Sequence, residues 1–404
     1  MRTRFTHQMI LAALVAMAAQ AQGVKIKVTN PSTEARQREP VVVSWPDVGG
    51  MLGKSEMQKL RLIDEKGRSI AFQVDDLEGD GMLDELTFQA DLAPGASTVF
   101  LLTAEADTLS PPIGPLRTDA QNLKKVEGEA RFLDDDDGPG SLRSESRYPF
   151  DGVGWESELI GYRLYLDERN AIDIQGKRAP GLHWKFIGSS GVNYQLDSYW
   201  GMDVLHVGPS VGFGGVAFWA GDSVCKPNTL DRRRTRVLAR GPVRTVVRVD
   251  YDGWDVAGAK KNLTSIFLQY AGDRAFEHRV VLRSAGSELA ATGIVRHEKG
   301  SVQWNSSRHF LSSFGPQARS GDGLFMVMAF EPSSVTKQFR GPFDDLVLLR
   351  LESGKPVRIL LAAGWEGEEQ VGPLEGALDT QRKRLVERIS AEPEVQLEKI
   401  QPVK

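Results

Sequence analysis

The sequence predicts an all-β protein: a small N-terminal β-sandwich, then a large antiparallel two-sheet β-domain closed by a C-terminal helix. Three observations carry that prediction. Apolar and polar residues alternate in short runs along most of the chain, turn-forming residues separate the runs, and helical spacing is clear only near the carboxyl end.

The first group of runs, at 24–28, 41–44, 60–63, 72–74, 85–90 and 97–102, has the period of strands with one buried face. It predicts a sandwich over residues 22–108, a normal size for a domain. A polar stretch containing Pro111, Pro112 and Pro115 follows and reads as a linker over 109–125. The acidic run Asp134, Asp135, Asp136 and Asp137, followed by Gly-Pro-Gly, reads as a solvated loop. Strand-like runs then recur over residues 126–404, clearest at 155–166, 171–175, 211–219, 234–240, 243–251, 262–269, 275–282, 324–329, 346–351 and 357–363. Many strands with almost no helix between them imply two packed antiparallel sheets. Leu374, Leu378, Leu385 and Ile389 recur at helical spacing before Pro393, which predicts an amphipathic helix lying on a sheet.

Residues 1–21 read as an export signal. Arg2 and Arg4 precede an apolar run at 9–18, and Ala19-Gln20-Ala21 is a small-x-small cleavage site, so a periplasmic or secreted protein is expected. Cleavage removes two arginines and no acid, so the net charge moves from −4 to −6, which disfavours nucleic acid or an anionic membrane as partner. Cys225 is the sole cysteine, so no internal disulfide forms and stability rests on a core.

Candidate chemistry concentrates in the window from Tyr199 to Trp219. Tyr199, Asp203 and His206 can move protons, Trp200 and Trp219 offer flat faces suited to a sugar ring, and Gly208, Gly212, Gly214 and Gly215 permit bends or close approach. Upstream, Glu158 is a candidate acid or base on a strand shared with Glu156 and Tyr162, although surface ion pairing among Glu156, Arg163, Asp167, Arg169 and Asp173 explains that segment equally well. In GLHWKF, strand alternation would point His183 and Lys185 to one face and Trp184 to the other. Arg296 and His297 form a pair able to meet a carboxylate. No histidine spacing matches a catalytic zinc site, and His278 reads as structural or surface. The run Asp231 to Arg244 reads as a solvated strand face, since no aromatic residues interleave its arginines.

The loop beginning at Asp76 places Asp76, Glu78, Asp80 and Asp84 at calcium-loop positions, with Gly81 at the turn. Thr87 stands where the bidentate glutamate belongs, and strands flank the loop instead of helices. A structural calcium is the expectation, with an ordinary acidic turn as the alternative. No organic cofactor is expected, because phosphate loops and dinucleotide fingerprints are missing.

Through WESELIGYRLYLDERNAIDI, WGMDVLHVGPSVGFGG, LLAAGWE and the acidic QVDDLEGDGMLDEL loop, the chain resembles a family carrying a domain of unknown function, found in bacterial loci that degrade pectin and other uronate-rich glycans. The resemblance covers nearly all of the mature chain. It implies an exported carbohydrate-processing protein whose large domain is similar to the galactose-mutarotase-like supersandwich. The leading expectation is a lyase acting on a uronate-containing glycan. In it Arg296 or Lys185 would neutralise the carboxylate, His206 or His183 would take the C5 proton, and Tyr199 would protonate the leaving oxygen. Two alternatives stand beside it: hydrolysis by the carboxylates Glu158 and Asp203, and glycan binding on Trp200 and Trp219 without cleavage.

Overall fold

The computed structural model describes residues 23–52, 57–104, 114–127, 129–139, 151–187, 193–305 and 309–400. The expected leader, 1–21, lies outside them. Strands dominate, and the chain divides into two units, one of residues 1–116 with 391–404 and one of 117–390. Among the described residues no helix is long and apolar enough to cross a membrane.

The smaller unit packs a five-stranded sheet against a three-stranded one. Strand Gly23–Thr29 alternates as its sequence predicts, burying Val24, Ile26 and Val28 against Leu60, Leu62, Phe88 and Leu102. The Phe88 and Phe100 rings meet edge-on at 4.8 Å. Helix α1, Trp45–Leu52, adds Val48 and Leu52 to this core. One strand comes from the far end of the chain: Glu394–Ile400 pairs antiparallel along the whole of Gly23–Thr29. The expectation that everything after residue 126 belongs to the large domain is therefore corrected. Val395 and Leu397 alternate toward the small core, which is the physical reason for the return.

The larger unit is built in layers. A nine-stranded antiparallel sheet is central, and a six-stranded and a five-stranded sheet cover one of its faces. Bridges from Ile172 to Gly212 and from Phe213 to Ile294 stitch those two covering sheets together. Between the layers lies one apolar cluster in which Trp155 stacks on Phe267 at 4.4 Å and Tyr162 tilts against Phe276 at 4.5 Å. A single helical turn, Trp184–Ile187, is α2, and the predicted C-terminal helix, Leu374–Ser390, is α3 and lies on the opposite face of the nine-stranded sheet. Leu378, Leu385 and Ile389 of α3 pack on Phe325, Val327, Leu360 and Ala362 of the nine-stranded sheet.

Three sequence expectations change here. The proposed linker reaches only part of its range, because Thr118–Val126 is a strand of the six-stranded sheet, paired with Gly152–Ser157. The run 155–166 is a hairpin of Gly152–Ser157 and Ile160–Tyr165, so Glu158 sits at its turn and not along a strand face. The acidic run is also a strand: Asp135–Pro139 pairs with Arg232–Ala239, and Arg232 bonds Asp137 while Arg234 bonds Asp135. Two opposite charge runs thus neutralise each other across an edge ladder.

Candidate functional site

The window around Gly212 is first a structural crossing between two sheets. Gly212 has φ +69°, and a Cβ there would lie 2.1 Å from the Ile172 carbonyl oxygen; at Gly214, φ +85°, it would meet Leu361 at 2.2 Å. Only glycine fits such close approach. Met202, Val204, Leu205, Val207 and Phe213 are buried in the inter-sheet core, and residues 211–216 form no strand until Ala217–Ala220. From this buried crossing one polar ring emerges, the exposed imidazole of His206.

Three residues before it in the chain, Asp203 ends the short strand Gly201–Asp203 at the margin of the six-stranded sheet, with no exposed surface. Its Oδ2 accepts hydrogen bonds from Arg319 at 3.3 Å and, more loosely, from Arg163 at 3.5 Å. Arg163 is committed chiefly to Asp173, with Nε at 3.2 and 3.1 Å from the two carboxylate oxygens, and it donates to the Tyr165 hydroxyl at 2.7 Å. Its guanidinium also faces the Tyr165 and Tyr194 rings at 4.4 and 4.9 Å. Burial, reinforced by the Asp173 charge, pushes the Asp203 carboxyl up to about 7, although both arginines pull the other way. The ion pairs read from sequence as surface features are thus buried at Arg163 and Asp173, both wholly inaccessible.

His297 lies close enough to His206 to feel its charge. Burial, and then the neighbouring His206 charge, hold the His297 imidazole below the usual histidine range, and its Nε2 is buried without a hydrogen-bond partner. Arg296 is already employed. Its guanidinium donates to the Gly341 and Pro342 carbonyls at 2.9 and 2.7 Å, and its backbone N–H donates to the Phe343 carbonyl at 2.9 Å. That bracing holds a loop in which Phe343 is 53% exposed, one backbone hydrogen bond away from the residue before His297.

The remaining predicted residues gather elsewhere or not at all. GLHWKF is not a strand: His183 precedes the single turn of α2, and Glu156 accepts the backbone N–H groups of His183 and Trp184 at 2.7 and 2.9 Å. Burial and the charge of Lys177 lower the His183 imidazole to about 4. Lys185 is exposed and lies 5.0 Å from the Phe186 ring. Trp200 is buried with Leu123, Trp184 and Ile187, so it offers no stacking face to a ligand. Trp219 is half-buried edge-on against Phe339 at 5.1 Å. Tyr199 stands 86% exposed. Glu158 accepts from Arg117 at 2.5 Å and from the Gly272 N–H at 2.6 Å, while the buried Asp203 has Asp173 as an acidic neighbour. His278 is structural, bonded to Ser265 at 2.9 Å in the core.

In the acidic loop, Asp76 accepts backbone N–H groups from Glu78, Gly79, Asp80 and Gly81, at 3.1, 2.6, 3.3 and 2.7 Å. Partial burial acts to raise its pKa, but these four donors outweigh it and leave the carboxyl below its ordinary value. Asp84 accepts from the Leu77 N–H at 2.6 Å. Among the described residues no three acidic, histidine or cysteine side chains are grouped to hold a metal ion.

A family model described as a domain of unknown function, DUF4861, matches residues 28–384. No curated protein matches the chain. Among solved structures, an α-mannosidase from Enterococcus faecalis V583 is similar at 9% identity and TM-score 0.47, over 94% of this chain and 46% of its own. A glycosyl hydrolase family 38 protein from Enterococcus faecalis is similar at 9% identity and TM-score 0.46, over 95% and 48%. The chain thus spans under half the length of these two structures.

Proposed function

Starting from a chain that belongs to the DUF4861 family, we propose an exported carbohydrate-active enzyme, a lyase that cleaves a uronate-containing glycan on a galactose-mutarotase-like supersandwich. The observation that carries this reading is the His206 and His297 pair, with the exposed Phe343 tied through its carbonyl to the backbone of Arg296, the residue before His297. Phe343 offers the apolar face on which a sugar ring stacks, and a neutral His297 is ready to accept the C5 proton. His206, reachable from solvent, is placed to pass that proton on. Arg296 serves as the brace of the aromatic loop and not as the carboxylate's partner, since carbonyls occupy its guanidinium.

The test is incubation with pectic, ulvan-like and alginate-like glycans while following the ultraviolet absorbance of an unsaturated product. Turnover is expected on one of these classes, and His297→Ala should lower kcat by about 10²-fold or more, while Phe343→Ala should mainly raise KM. Binding without turnover, with affinity unchanged in His297→Ala, would replace the lyase reading with that of a glycan-binding protein. Silence towards every uronate glycan, in binding as in turnover, would end both.

A further inference from the structure

Beta-elimination from a uronate needs a cation on the substrate carboxylate, and Arg296 is not free to supply it. Arg319 is placed differently. It lies in the turn between strands Phe310–Gly315 and Leu324–Phe330, and its backbone N–H donates to the Val204 carbonyl at 2.8 Å, which sets it beside Asp203, three residues before His206 in the chain. The side chain is 28% exposed, and its guanidinium has no partner among the described residues except Asp203. One edge of the fork therefore faces an inaccessible carboxylate, and the rest is open to a ligand.

The partner is what makes the arrangement informative. Asp203 has two cations near it, but Arg163 sits at 3.5 Å and is mainly bound by Asp173, so Arg319 is the closer counter-ion. The groups facing Asp203 are Asp173 and Arg163, with Tyr165 behind them, from the six-stranded sheet, Tyr194 from the preceding loop, and Arg319. Above about pH 7, where Asp203 is ionised, two arginines and two aspartates balance in the ligand-free cluster. A carboxylate arriving on Arg319 leaves a surplus negative charge in a buried cluster, which low-dielectric surroundings penalise heavily.

We propose that Arg319 is the carboxylate-recognition subsite for an anionic sugar, and that Asp203 is its internal counter-ion, displaced by the substrate carboxylate and neutralised by one proton taken from solvent. This inference rests on the glycan reading above. Burial already raises the Asp203 carboxyl to about 7, so the proton is acquired close to neutrality. The sign follows from linkage. When the guanidinium turns to the ligand, the carboxyl's affinity for a proton rises further, so the complex holds more protons than the free protein. Affinity for the anion then falls as pH rises above about 7, approaching tenfold per pH unit.

Oligogalacturonate is the probe, titrated calorimetrically at pH 8 in buffers of different ionisation enthalpy, with its methyl ester as the uncharged control. We expect uptake approaching one proton for the anion and none for the ester. Asp203→Asn should keep binding but abolish the uptake and flatten the pH dependence, and Arg319→Gln should weaken the anion at least about tenfold while sparing the ester. Binding without proton uptake, or uptake that persists in Asp203→Asn, overturns the exchange and leaves the glycan reading standing; failure of every uronate to bind overturns both. A ligand-free measurement stands apart from substrate identity: in carboxyl ¹³C spectra, Arg319→Gln should move upward the titration that Asp203→Asn deletes, and an unmoved titration rejects the pairing.

Discussion

Single side chains in this molecule are decided by what surrounds them more than by what they are. His278 and His297 share a chemistry, yet one is sealed against Phe267 at 4.3 Å while the other borders a solvent-facing partner. Burial lowers the His278 imidazole to about 3. Its folded pKa lies below the unfolded value of about 6.5, so its contribution to stability is intact above that pH and drains away as acid is added. The expected loss is about 2 kcal/mol by pH 5, and His278→Gln should shrink the decline in unfolding free energy between pH 7 and pH 5, measured by denaturant titration. Residue types were legible where a window concentrated them: Asp203, His206 and His297 were all named from the sequence. Arg319 and Phe343 gave no such signal. Arg319 lies 116 residues from Asp203 and Phe343 sits in an ordinary turn, so only the fold makes either one a neighbour of the site.

At the scale of single elements, the covering segment around α2 depends on missing side chains beneath it. A Cβ at Gly154 would come within 2.5 Å of the Trp184 ring, and one at Gly161 within 3.0 Å of its indole nitrogen. Gly154→Ala should therefore displace a rigid buried ring and cost about 1–3 kcal/mol, read as a lower denaturation midpoint with an unchanged slope. The alternation in GLHWKF reads as a strand because six residues cannot separate a strand from one helical turn. What decides it is the Glu156 carboxylate, 27 residues away, accepting the first N–H groups of that turn. The acidic loop has a similar lesson. Its calcium-like spacing is real, but backbone donors already engage the first carboxylate, so Asp76→Ala should cost about 1 kcal/mol without any added ion, these bonds being solvent-exposed. Thermal melts with calcium and with chelator should coincide; a calcium-dependent rise in Tm would reinstate the cation.

For the whole molecule, the all-β architecture was readable because short runs, alternating in strands such as Gly23–Thr29 and near-continuously apolar in buried ones such as Leu324–Phe330, are split by turn residues with little helical spacing between them. Strand order was not, since pairing partners are chosen by three-dimensional layering and leave no mark on either strand alone. The strand Glu394–Ile400 shows this most clearly, lying beyond a helix of the large unit yet completing the sheet of the small one. Ending the chain after Ser390 should expose the full hydrogen-bonding edge of Gly23–Thr29 and unmask Val24, Ile26 and Val28. We expect limited proteolysis to clear residues 23–104 from that variant while 117–390 persists, and equal resistance of both segments would contradict it. The same pairing sets a timetable for biogenesis. On the ribosome the opening strand emerges early but has no neighbour on that side until residue 400 has been made, so the first unit begun is the last one finished. Any nascent chain halted in the interval carries an unclaimed β-edge at its leading end, ready to capture a second unfinished copy.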